Sequence, residues 1–405
     1  MILKRMLPEK LKRRLRPLLG GACKDMPYQD VMIKDYYKTH RKKRILVSYI
    51  VEPFLETDWS FHTNRQEVSA IAEVFHSLGY GVDVVPYYYR KPLDYSRYTA
   101  VFGFDAPLCH SFTQNDPEPC RIYYGTGMPG YSNNLATMRR AIEVYKERGV
   151  WLIDSCRIVR EDWPEQTTLV DAMITLGNHT TKEAYRIRYN GPIFTQRAIF
   201  NAAVNEEELR GKKFSEAKKH FLWFGSSGAV HKGLDLLLRI FADKPEKILH
   251  IAGPVLNEKA FMRAFSQELA KPNIVMHGFV NVRSPEFVTL MRQCAFTVLP
   301  PCAEANATSL LNTMCNGLLP VMKPVCGIDF SPYTVRIEEP DIESVRVALE
   351  CCYALSAEEL ATLSRDCLVA TRRTYSLDAF RTQLEQNLRK ILKETEADSC
   401  ISARC

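Results

Sequence analysis

Three turns in the second half of the sequence carry the residue types best suited to hold an anionic ligand. The first is GSSGAVHKGLD, Gly225–Asp235, where small residues follow one apolar run and precede another. Small side chains let a ligand approach the main-chain amides, which attract anions. Lys232 adds a point charge suited to phosphate. The turn predicts a phosphate site, although a tight turn with a solvated lysine accounts for the same residues.

The second turn is HGFV, His277–Val280, which follows the strand-like run NIVM. Its main-chain groups are suited to hydrogen bonding with a flat heterocycle. The alternative is an ordinary loop that His277 caps locally.

The third turn opens the stretch EANATSLLNTM, Glu304–Met314, after the strand-like run FTVLPP. Glu304 stands near the start of a predicted helix, where the helix dipole stabilises a carboxylate by only about 0.3–1 kcal/mol. The functional interpretation is that Glu304 accepts hydrogen bonds from ligand hydroxyls while the first amides of the helix hold phosphate. Otherwise Thr308 and Ser309 are small packing residues.

Alternating strand and helix patterns must position these turns. The predicted strands of the first half are Arg44–Val51, Gly81–Tyr87, Ala100–Phe104, Arg121–Gly125, Ala172–Gly177 and Pro192–Gln196, with helices at Asn64–Leu78 and Leu135–Arg148. Those of the second half are Phe221–Gly225, Ile248–Gly253, Asn273–Gly278, Phe296–Pro301 and Leu318–Met322, with helices from Lys232 and at Glu258–Leu269, Pro285–Gln293, Ile342–Tyr353 and Ala357–Leu392.

Short apolar strands between helices imply parallel sheets covered on both faces. We therefore predict an α/β protein with two Rossmann-like, doubly wound domains that face a cleft, where ligands bind beyond the carboxyl ends of the strands. The polar stretch Asn201–His220 interrupts the alternation and marks the domain boundary. The predicted units are a basic arm at 1–43, a first domain at 44–200, a linker at 201–218, a second domain at 219–375, and a C-terminal helix and tail at 376–405.

Composition limits the classes of protein that this chain can be. Its 405 residues suggest two domains, and 46% hydrophobic and 25% charged residues are typical of a globular protein. The sequence contains no apolar run long enough to span a bilayer and no secretory leader pattern. The 13 cysteines lack metal-binding spacing, which favours free thiols in a reducing compartment. A cytoplasmic location is expected.

Positive charge is concentrated in the first 44 residues, which hold 14 of the 54 Lys and Arg but only 4 of the 47 Asp and Glu. The remainder is close to neutral, which argues against nucleic-acid binding. In this arm leucines recur at every fourth position, at Leu3, Leu7, Leu11, Leu15 and Leu19. A helix there would place leucines on one face and cations around the rest, as in a helix at an anionic membrane surface. Contact with a membrane through residues 1–20 is the hypothesis, and a solvated, frayed terminus is the alternative.

Taken together, the second-half motifs resemble the donor domain of GT-B glycosyltransferases, most closely the large retaining family often called group 1. The likeness rests on the turn ending in HKGLDLLL, the HGFV loop and the stretch PPCAEANATSLLNTMCNGLLPV, and it covers residues 220–330. The first domain matches in layout only. The resemblance implies a nucleotide sugar in the interdomain cleft and neither a metal nor another cofactor.

The resemblance also assigns roles to residues by position. Lys232 and the amides of residues 226–228 should contact the diphosphate, Glu304 the sugar hydroxyls, and the HGFV main chain the base. With His110 as the candidate cleft histidine of the first domain, the implied catalytic set is Lys232, Glu304 and His110, although the position of His110 in the sequence favours a loop histidine without function. The implied donor site comprises Ser226, Ser227, Gly228, Lys232, Gly278, Phe279, Val280, Glu304, Asn306, Ala307, Thr308, Ser309 and Asn312.

Two positions depart from the family pattern. Family members usually have a second glutamate eight residues after the first, which binds both ribose hydroxyls, and this chain has Asn312 there. An amide can bond a hydroxyl pair but lacks the charge that makes such bonds about twice as strong. Many members also have an arginine shortly before the lysine, where this chain has Ser226 or Ser227.

The first domain should supply the acceptor pocket. The stretch FHTNRQE, Phe61–Glu67, lies between the first strand and first helix, and YYGTGMPG follows another strand. A helix cap at Asn64 and a surface arginine at position 65 are the alternative to acceptor binding. The predicted acceptor residues are His62, Asn64, Arg65, Gly125, Thr126 and Gly127.

The expected activity is therefore transfer of a sugar from a nucleotide-sugar donor to a glycan or lipid-linked acceptor with retention, in surface polysaccharide or glycolipid synthesis. Loss of the second glutamate keeps a different class open, a non-catalytic sugar-nucleotide-binding partner of a transferase complex. An epimerase of the same fold is a further alternative, although it would require acidic residues in the first domain.

Overall fold

The computed structural model describes residues 26–56, 62–113, 117–160, 164–201 and 203–402. The segment for which we predicted membrane contact, residues 1–20, lies outside this part of the chain. Across the described residues, every helix is too short or too polar to cross a membrane.

Six strands of the first half form one parallel sheet in the order β2-β1-β3-β4-β5-β6. They are nearly all buried, as expected for a parallel sheet covered on both faces. The strands are β1 Arg44–Tyr49, β2 Gly81–Pro86, β3 Ala100–Gly103, β4 Cys120–Gly125, β5 Ala172–Leu176 and β6 Ile193–Gln196, and the helices are α1 Thr63–Ser77, α2 Ala106–His110, α3 Gly130–Arg148 and α4 His179–Arg186.

A second parallel sheet, in the order β12-β11-β10-β7-β8-β9, forms the core of the other half. Its strands are β7 His220–Phe224, β8 Ile248–Ala252, β9 Ile274–Gly278, β10 Phe296–Leu299, β11 Leu319–Met322 and β12 Val335–Arg336. The helices of this half are α5 Glu206–Leu209, α6 Phe214–Ala217, α7 Leu234–Ala242, α8 Lys259–Ala264, α9 Ser266–Leu269, α10 Pro285–Gln293, α11 Thr308–Met314, α12 Ile342–Ala354, α13 Ala357–Thr374 and α14 Leu377–Ser402. The two Rossmann-like α/β domains predicted from the sequence are confirmed.

Short 3₁₀ turns join several of these elements. They are Glu52–Phe54, Tyr95–Arg97, Ser111–Thr113, Ile153–Ser155, Pro164–Thr167, Val255–Asn257 and Pro324–Cys326.

The predicted continuous helix Ala357–Leu392 is wrong, because the chain breaks between α13 and α14. Tyr375 leaves helical geometry with φ −113° and ψ 23°, and Ser376 Oγ accepts the N–H of Ala379 at 3.1 Å, which starts a new helix. Helix α14 then returns to the first domain and packs against α1. Its buried apolar residues join the first-domain core, and they are Phe380, Leu384, Leu388, Ile391 and Leu392.

The long helix α3 of the first domain packs against the second domain. Its residues Thr137, Arg140 and Val144 are buried against the second domain. Thr137 Oγ1 lies 3.0 Å from His231 Nδ1, and Arg140 forms a buried ion pair with Asp235 of α7. Helix α3 therefore fixes one side of the space between the sheets.

Candidate active site

A cavity of about 650 Å³ lies between the two sheets, beyond the carboxyl ends of their strands. Its walls include residues that directly follow a strand in each half, such as Ile50 after β1, Gly225 after β7 and Phe279 after β9. Both domains thus contribute to one cavity at the edge where parallel α/β sheets bind ligands.

Thirteen of the predicted site residues line this cavity. They are Ser226, Lys232, Phe279, Val280, Glu304, Asn306, Ala307, Thr308, Ser309 and Asn312 of the predicted donor site, and His62, Asn64 and Thr126 of the predicted acceptor site. The structure therefore brings together residues that lie up to 250 positions apart in the sequence.

Other predicted residues do not line the cavity, and some have different partners. Arg65 pairs with Glu56 at 3.1 Å, and the carbonyl of Gly127 accepts the Tyr185 hydroxyl at 2.9 Å. His110 ends α2, away from the cavity wall. The remaining residues outside the lining are Ser227, Gly228, Gly278 and Gly125.

The structure also shows the contacts of two histidines near the predicted site. His62, rather than Asn64, caps α1, because His62 Nδ1 accepts the N–H of Asn64 at 3.3 Å. His277 contacts His250 at 3.0 Å and Glu286 at 3.3 Å through its ring nitrogens.

The glycine turn after β7 offers fewer free amides than its sequence predicts. The carboxylate of Glu258, itself buried, accepts the N–H of Gly228 at 2.6 Å and that of Ala229 at 3.0 Å. These amides therefore point to a carboxylate of the same domain and not into the cavity. The interaction stabilises the turn that precedes Lys232.

Lys232 and Glu304 form an ion pair at the cavity wall, with both side chains more than nine-tenths buried. Lys232 is placed by two main-chain contacts, since its N–H donates to the carbonyl of Gly228 at 2.8 Å and its carbonyl accepts Trp223 Nε1 at 3.2 Å. Burial by itself raises the pKa of Glu304, but the neighbouring cations Lys232 and Arg157 outweigh it and hold the pKa below its usual value. Glu304 is therefore an ionised acceptor at neutral pH.

The loop that carries Glu304 is held in a strained conformation. Ala305 has φ +84°, a left-handed conformation that costs a non-glycine residue about 1–2 kcal/mol. Its N–H donates to the carbonyl of Val325 at 2.6 Å. The Ala305 carbonyl lies so close to Gly177 and Gly327 that a Cβ on either would be 2.7 Å or 1.8 Å away. Glycines from both domains thus allow this loop to sit at the cavity wall.

Asn312 lines the cavity from α11 and is buried. Its Oδ1 accepts the main-chain N–H of Asn201 at 2.9 Å. The side-chain carbonyl is therefore engaged by the interdomain linker, and the side-chain NH₂ is the group with which Asn312 can donate to a ligand.

The sequence reasoning missed Glu67, a buried carboxyl on the first-domain wall. Glu67 is 1% exposed, and its Oε2 accepts the hydroxyls of Tyr49 at 3.0 Å and Tyr124 at 3.5 Å. Its Oε1 is buried without a hydrogen bond. Burial raises the pKa of Glu67 to about 7, against the opposing effect of the hydroxyls of Tyr49, Thr63 and Tyr124.

Arg157 is the second residue that the sequence did not indicate. It belongs to the loop after α3, its side chain is 51% exposed, and its Nη1 lies 3.7 Å from Glu304 Oε1. No motif surrounds it, and its position depends on the packing of α3 against the second domain.

Among the described residues, His, Cys, Asp and Glu side chains form no group of three or more that could hold a metal ion. The residues that converge on the cavity are instead two cations, two carboxyl groups and several amides and hydroxyls.

Comparison with protein-family models gives one match, to Glycosyl transferases group 1, over residues 205–329. A search of curated protein sequences found no significant match.

Known structures share the arrangement of most of the chain at low sequence identity. Sucrose-phosphate synthase from Thermosynechococcus elongatus has a TM-score of 0.59 at 12% identity, covering 87% of this chain and 100% of that one. A glycosyltransferase from Rickettsia africae has a TM-score of 0.53 at 11% identity, covering 87% and 99%. Anabaena HepE in complex with UDP and glucose has a TM-score of 0.51 at 10% identity, covering 86% and 100%. These likenesses confirm the two-domain GT-B fold.

Proposed function

We propose that this chain, which carries a group 1 glycosyl transferase domain in residues 205–329, transfers a sugar from a nucleotide-sugar donor to a glycan or lipid-linked acceptor. The observation that carries the proposal is the buried Lys232–Glu304 pair on the cavity wall of that domain. A cation and an ionised carboxylate side by side suit a ligand in which phosphate and hydroxyl groups are adjacent. A nucleotide sugar has this chemistry at its anomeric carbon.

When the donor binds, the two members of the ion pair contact different parts of the ligand. Glu304 accepts hydrogen bonds from sugar hydroxyls, and Lys232 turns to the diphosphate. Asn306 supports this division, because its buried Oδ1 accepts no hydrogen bond from the described residues and Asn306 lines the same cavity. Thr308 and Ser309, which line the cavity at the start of α11, offer hydroxyl groups as further donors for phosphate.

The transfer step breaks the bond between the anomeric carbon and the phosphate oxygen and forms a bond to the acceptor oxygen. The acceptor proton passes to the departing diphosphate, so the products are a glycoside and a nucleoside diphosphate. Lys232 stabilises the negative charge that develops on the leaving group. In this proposal the protein's own charges act without a metal or other cofactor, and the resemblance to the retaining family implies that the anomeric configuration is kept.

The first-domain wall receives the acceptor in this proposal. It presents His62, Asn64 and Thr126 together with the ring of Tyr87 and the carboxyl of Glu67. Polar groups among aromatic rings are typical of sites for uncharged sugars, which offer both hydroxyls and apolar faces.

The proposal is tested by measuring binding and turnover separately. A panel of nucleotide sugars is screened for an increase in melting temperature, since a ligand at 100 times its dissociation constant stabilises the folded state by about 2.7 kcal/mol. Any donor that binds is then incubated with sugar and lipid-linked acceptors, and the released nucleoside diphosphate is quantified. We expect turnover that Glu304→Gln reduces at least tenfold, while Lys271→Ala, at an exposed site outside the cavity, leaves it unchanged.

Binding without turnover on any acceptor would instead assign the chain to a non-catalytic partner of a transferase complex. Conversion of the bound nucleotide sugar to its epimer would identify the same-fold alternative. An absence of both binding and turnover would refute the proposal.

We further propose a cytoplasmic protein whose residues 1–20 contact an anionic membrane surface, in keeping with a lipid-linked acceptor. Each cation near such a surface contributes about 1 kcal/mol. Deletion of residues 1–20 should abolish co-sedimentation with vesicles that contain phosphatidylserine, and retained binding would refute this part of the proposal.

A further inference from the structure

Arg157 reaches the cavity from the loop after α3, and contacts to both domains fix its main chain. The Arg157 carbonyl accepts Asn133 Nδ2 at 2.7 Å and Thr137 Oγ1 at 3.4 Å, and both donors are buried on α3. Two residues earlier, the carbonyl of Ser155 accepts the N–H of His231 at 3.1 Å. The loop is therefore anchored next to Lys232, and the guanidinium is held near the donor wall.

The cations on this wall outnumber its carboxylates. Lys232 and Arg157 both face Glu304, but only Lys232 is within hydrogen-bonding distance of it. Among the described residues, the ion-pair partner of Arg157 is Glu304 at 3.7 Å, a distance that leaves the guanidinium protons open to another acceptor. Two cations therefore face one carboxylate among the residues that line this part of the cavity, while the buried carboxylate of Glu258 lies behind the neighbouring glycine turn.

Two amides of the neighbouring glycine turn are not available to an anion, because those of Gly228 and Ala229 donate to Glu258. Gly228 instead provides space, because a Cβ there would lie 3.1 Å from Arg157 Cγ. Arg157 packs over the turn and therefore offers a side-chain donor where these two amides do not.

We infer that Arg157 completes the diphosphate site from the first domain, so that the diphosphate is bound between Arg157 on one side and Lys232 on the other. The nature of the ligand rests on the proposed function, a nucleotide sugar. The planar guanidinium offers two parallel N–H donors that match phosphate oxygens. Ser226, in the glycine turn that precedes Lys232, also lines the cavity.

The inference is tested by calorimetric titration of the full chain with UDP, GDP, ADP and inorganic pyrophosphate. We expect Arg157→Ala to weaken binding of the preferred nucleoside diphosphate about tenfold, the effect of losing one charge-assisted contact. Arg157→Lys should recover part of the loss, since it keeps the charge but not the fork. Arg160→Ala, an exposed arginine in the same loop outside the cavity lining, is the matched control and should bind as the wild type does.

A second variant distinguishes a contact between Arg157 and the ligand from a structural role of Arg157. In Arg157→Ala combined with Ser226→Arg, a cation returns to the cavity from the glycine turn of the second domain, and we expect most of the lost affinity to return. Binding to the wild type should also weaken more steeply with added salt than binding to Arg157→Ala, because fewer charges remain to be screened.

Each outcome bears on one or both hypotheses. Equal affinity in Arg157→Ala and the wild type overturns this inference and leaves the proposed function standing on Lys232. A loss that neither Arg157→Lys nor Ser226→Arg recovers, with a lowered melting temperature, assigns Arg157 to folding and also overturns it. Binding that depends on Arg157 without turnover of any nucleotide sugar supports the site and refutes the transferase. If the wild type binds none of the four probes, both hypotheses fail.

Discussion

Each wall of the cavity contains one buried glutamate. The surroundings shift the pKa values of these two side chains in opposite directions. On the second-domain wall, Lys232 and Arg157 keep the pKa of Glu304 below its usual value. On the first-domain wall, only hydroxyl groups contact Glu67, and burial raises its pKa to about 7. The first carboxyl is thus held ionised, while the second exchanges a proton near neutral pH.

This difference matches the ligands proposed for the two walls. A phosphate-bearing donor requires fixed charges, and the second domain supplies them in a pair that is already desolvated. An uncharged acceptor requires hydrogen bonds and apolar contact, and the first domain supplies tyrosines and a carboxyl close to its neutral form. In the proposed function, the same residue type would serve two kinds of recognition because its neighbours differ.

Removal of the Lys232 cation from the second-domain wall should produce the largest change in the free energy of unfolding. Lys232→Met leaves Glu304 buried without its main partner, and breaking such a pair costs about 3 kcal/mol of unfolding free energy. Urea unfolding of Lys232→Met, Glu304→Gln and the double variant measures this directly. The double variant should be more stable than Lys232→Met alone, and a loss equal to the sum of the two single losses would show that the pair is not coupled.

The first-domain glutamate should show the opposite pH dependence. The folded state holds the Glu67 proton up to about pH 7, whereas an unfolded glutamate loses it near pH 4.5. Between these values the folded state binds more protons, so the contribution of Glu67 to stability falls as pH rises, by about 1.4 kcal/mol per pH unit.

Glu67→Gln should remove this dependence. Thermal unfolding from pH 4.5 to 8 should show the variant gaining stability relative to the wild type as pH increases. A constant difference in stability between the variant and the wild type would show that Glu67 does not titrate between pH 4.5 and 8. Glu304→Gln is the contrasting variant, because the contribution of Glu304 is lost only as pH falls towards its lowered pKa.

The second-domain wall carries a strained residue, Ala305, and its strain should respond to substitution by glycine. Ala305→Gly relieves a left-handed conformation but increases the freedom of the unfolded chain, so we expect a net stabilisation of about 0.5–1 kcal/mol. Ala303→Gly, a buried neighbour without positive φ, should destabilise instead. Destabilisation by both variants would show that the Glu304 loop is not strained.

The smallest effect concerns Asn312, where a charge can be added to the second-domain wall. Asn312→Glu retains an acceptor for the Asn201 N–H and provides a charged acceptor for ribose hydroxyls. We expect the preference for UDP over 2′-deoxy-UDP to increase a few-fold, since charged hydrogen bonds are about twice as strong. An unchanged preference would mean that the ribose does not reach α11.

Much of the fold was predictable because the strands are continuous apolar runs bounded by turn residues. For example, the predicted Arg44–Val51 and Ile248–Gly253 correspond to β1 and β8 within two residues. The break at Tyr375–Ser376 was missed because the apolar periodicity continues across it, and a single serine cap marks the new helix.

The candidate site was predictable where a motif lies on one turn, and Lys232, Glu304 and Asn306 all line the cavity. It was not predictable where the role depends on packing between distant segments. Glu258 engages the glycine turn from 30 residues away, and Arg157 approaches Glu304 only because α3 packs on the second domain. Neither contact leaves a periodic signal in the sequence.

The return of α14 to the first domain has a consequence for synthesis of the protein on the ribosome. Phe380, Leu384 and Leu388 complete the apolar core around β1 and α1, yet they are translated about 180 residues after β6. At 5–20 residues per second, the first domain waits roughly 10–40 s for the last part of its core. During that interval the nascent first domain exposes the apolar surface that α14 later covers, which makes it a natural client for chaperones that bind emerging chains.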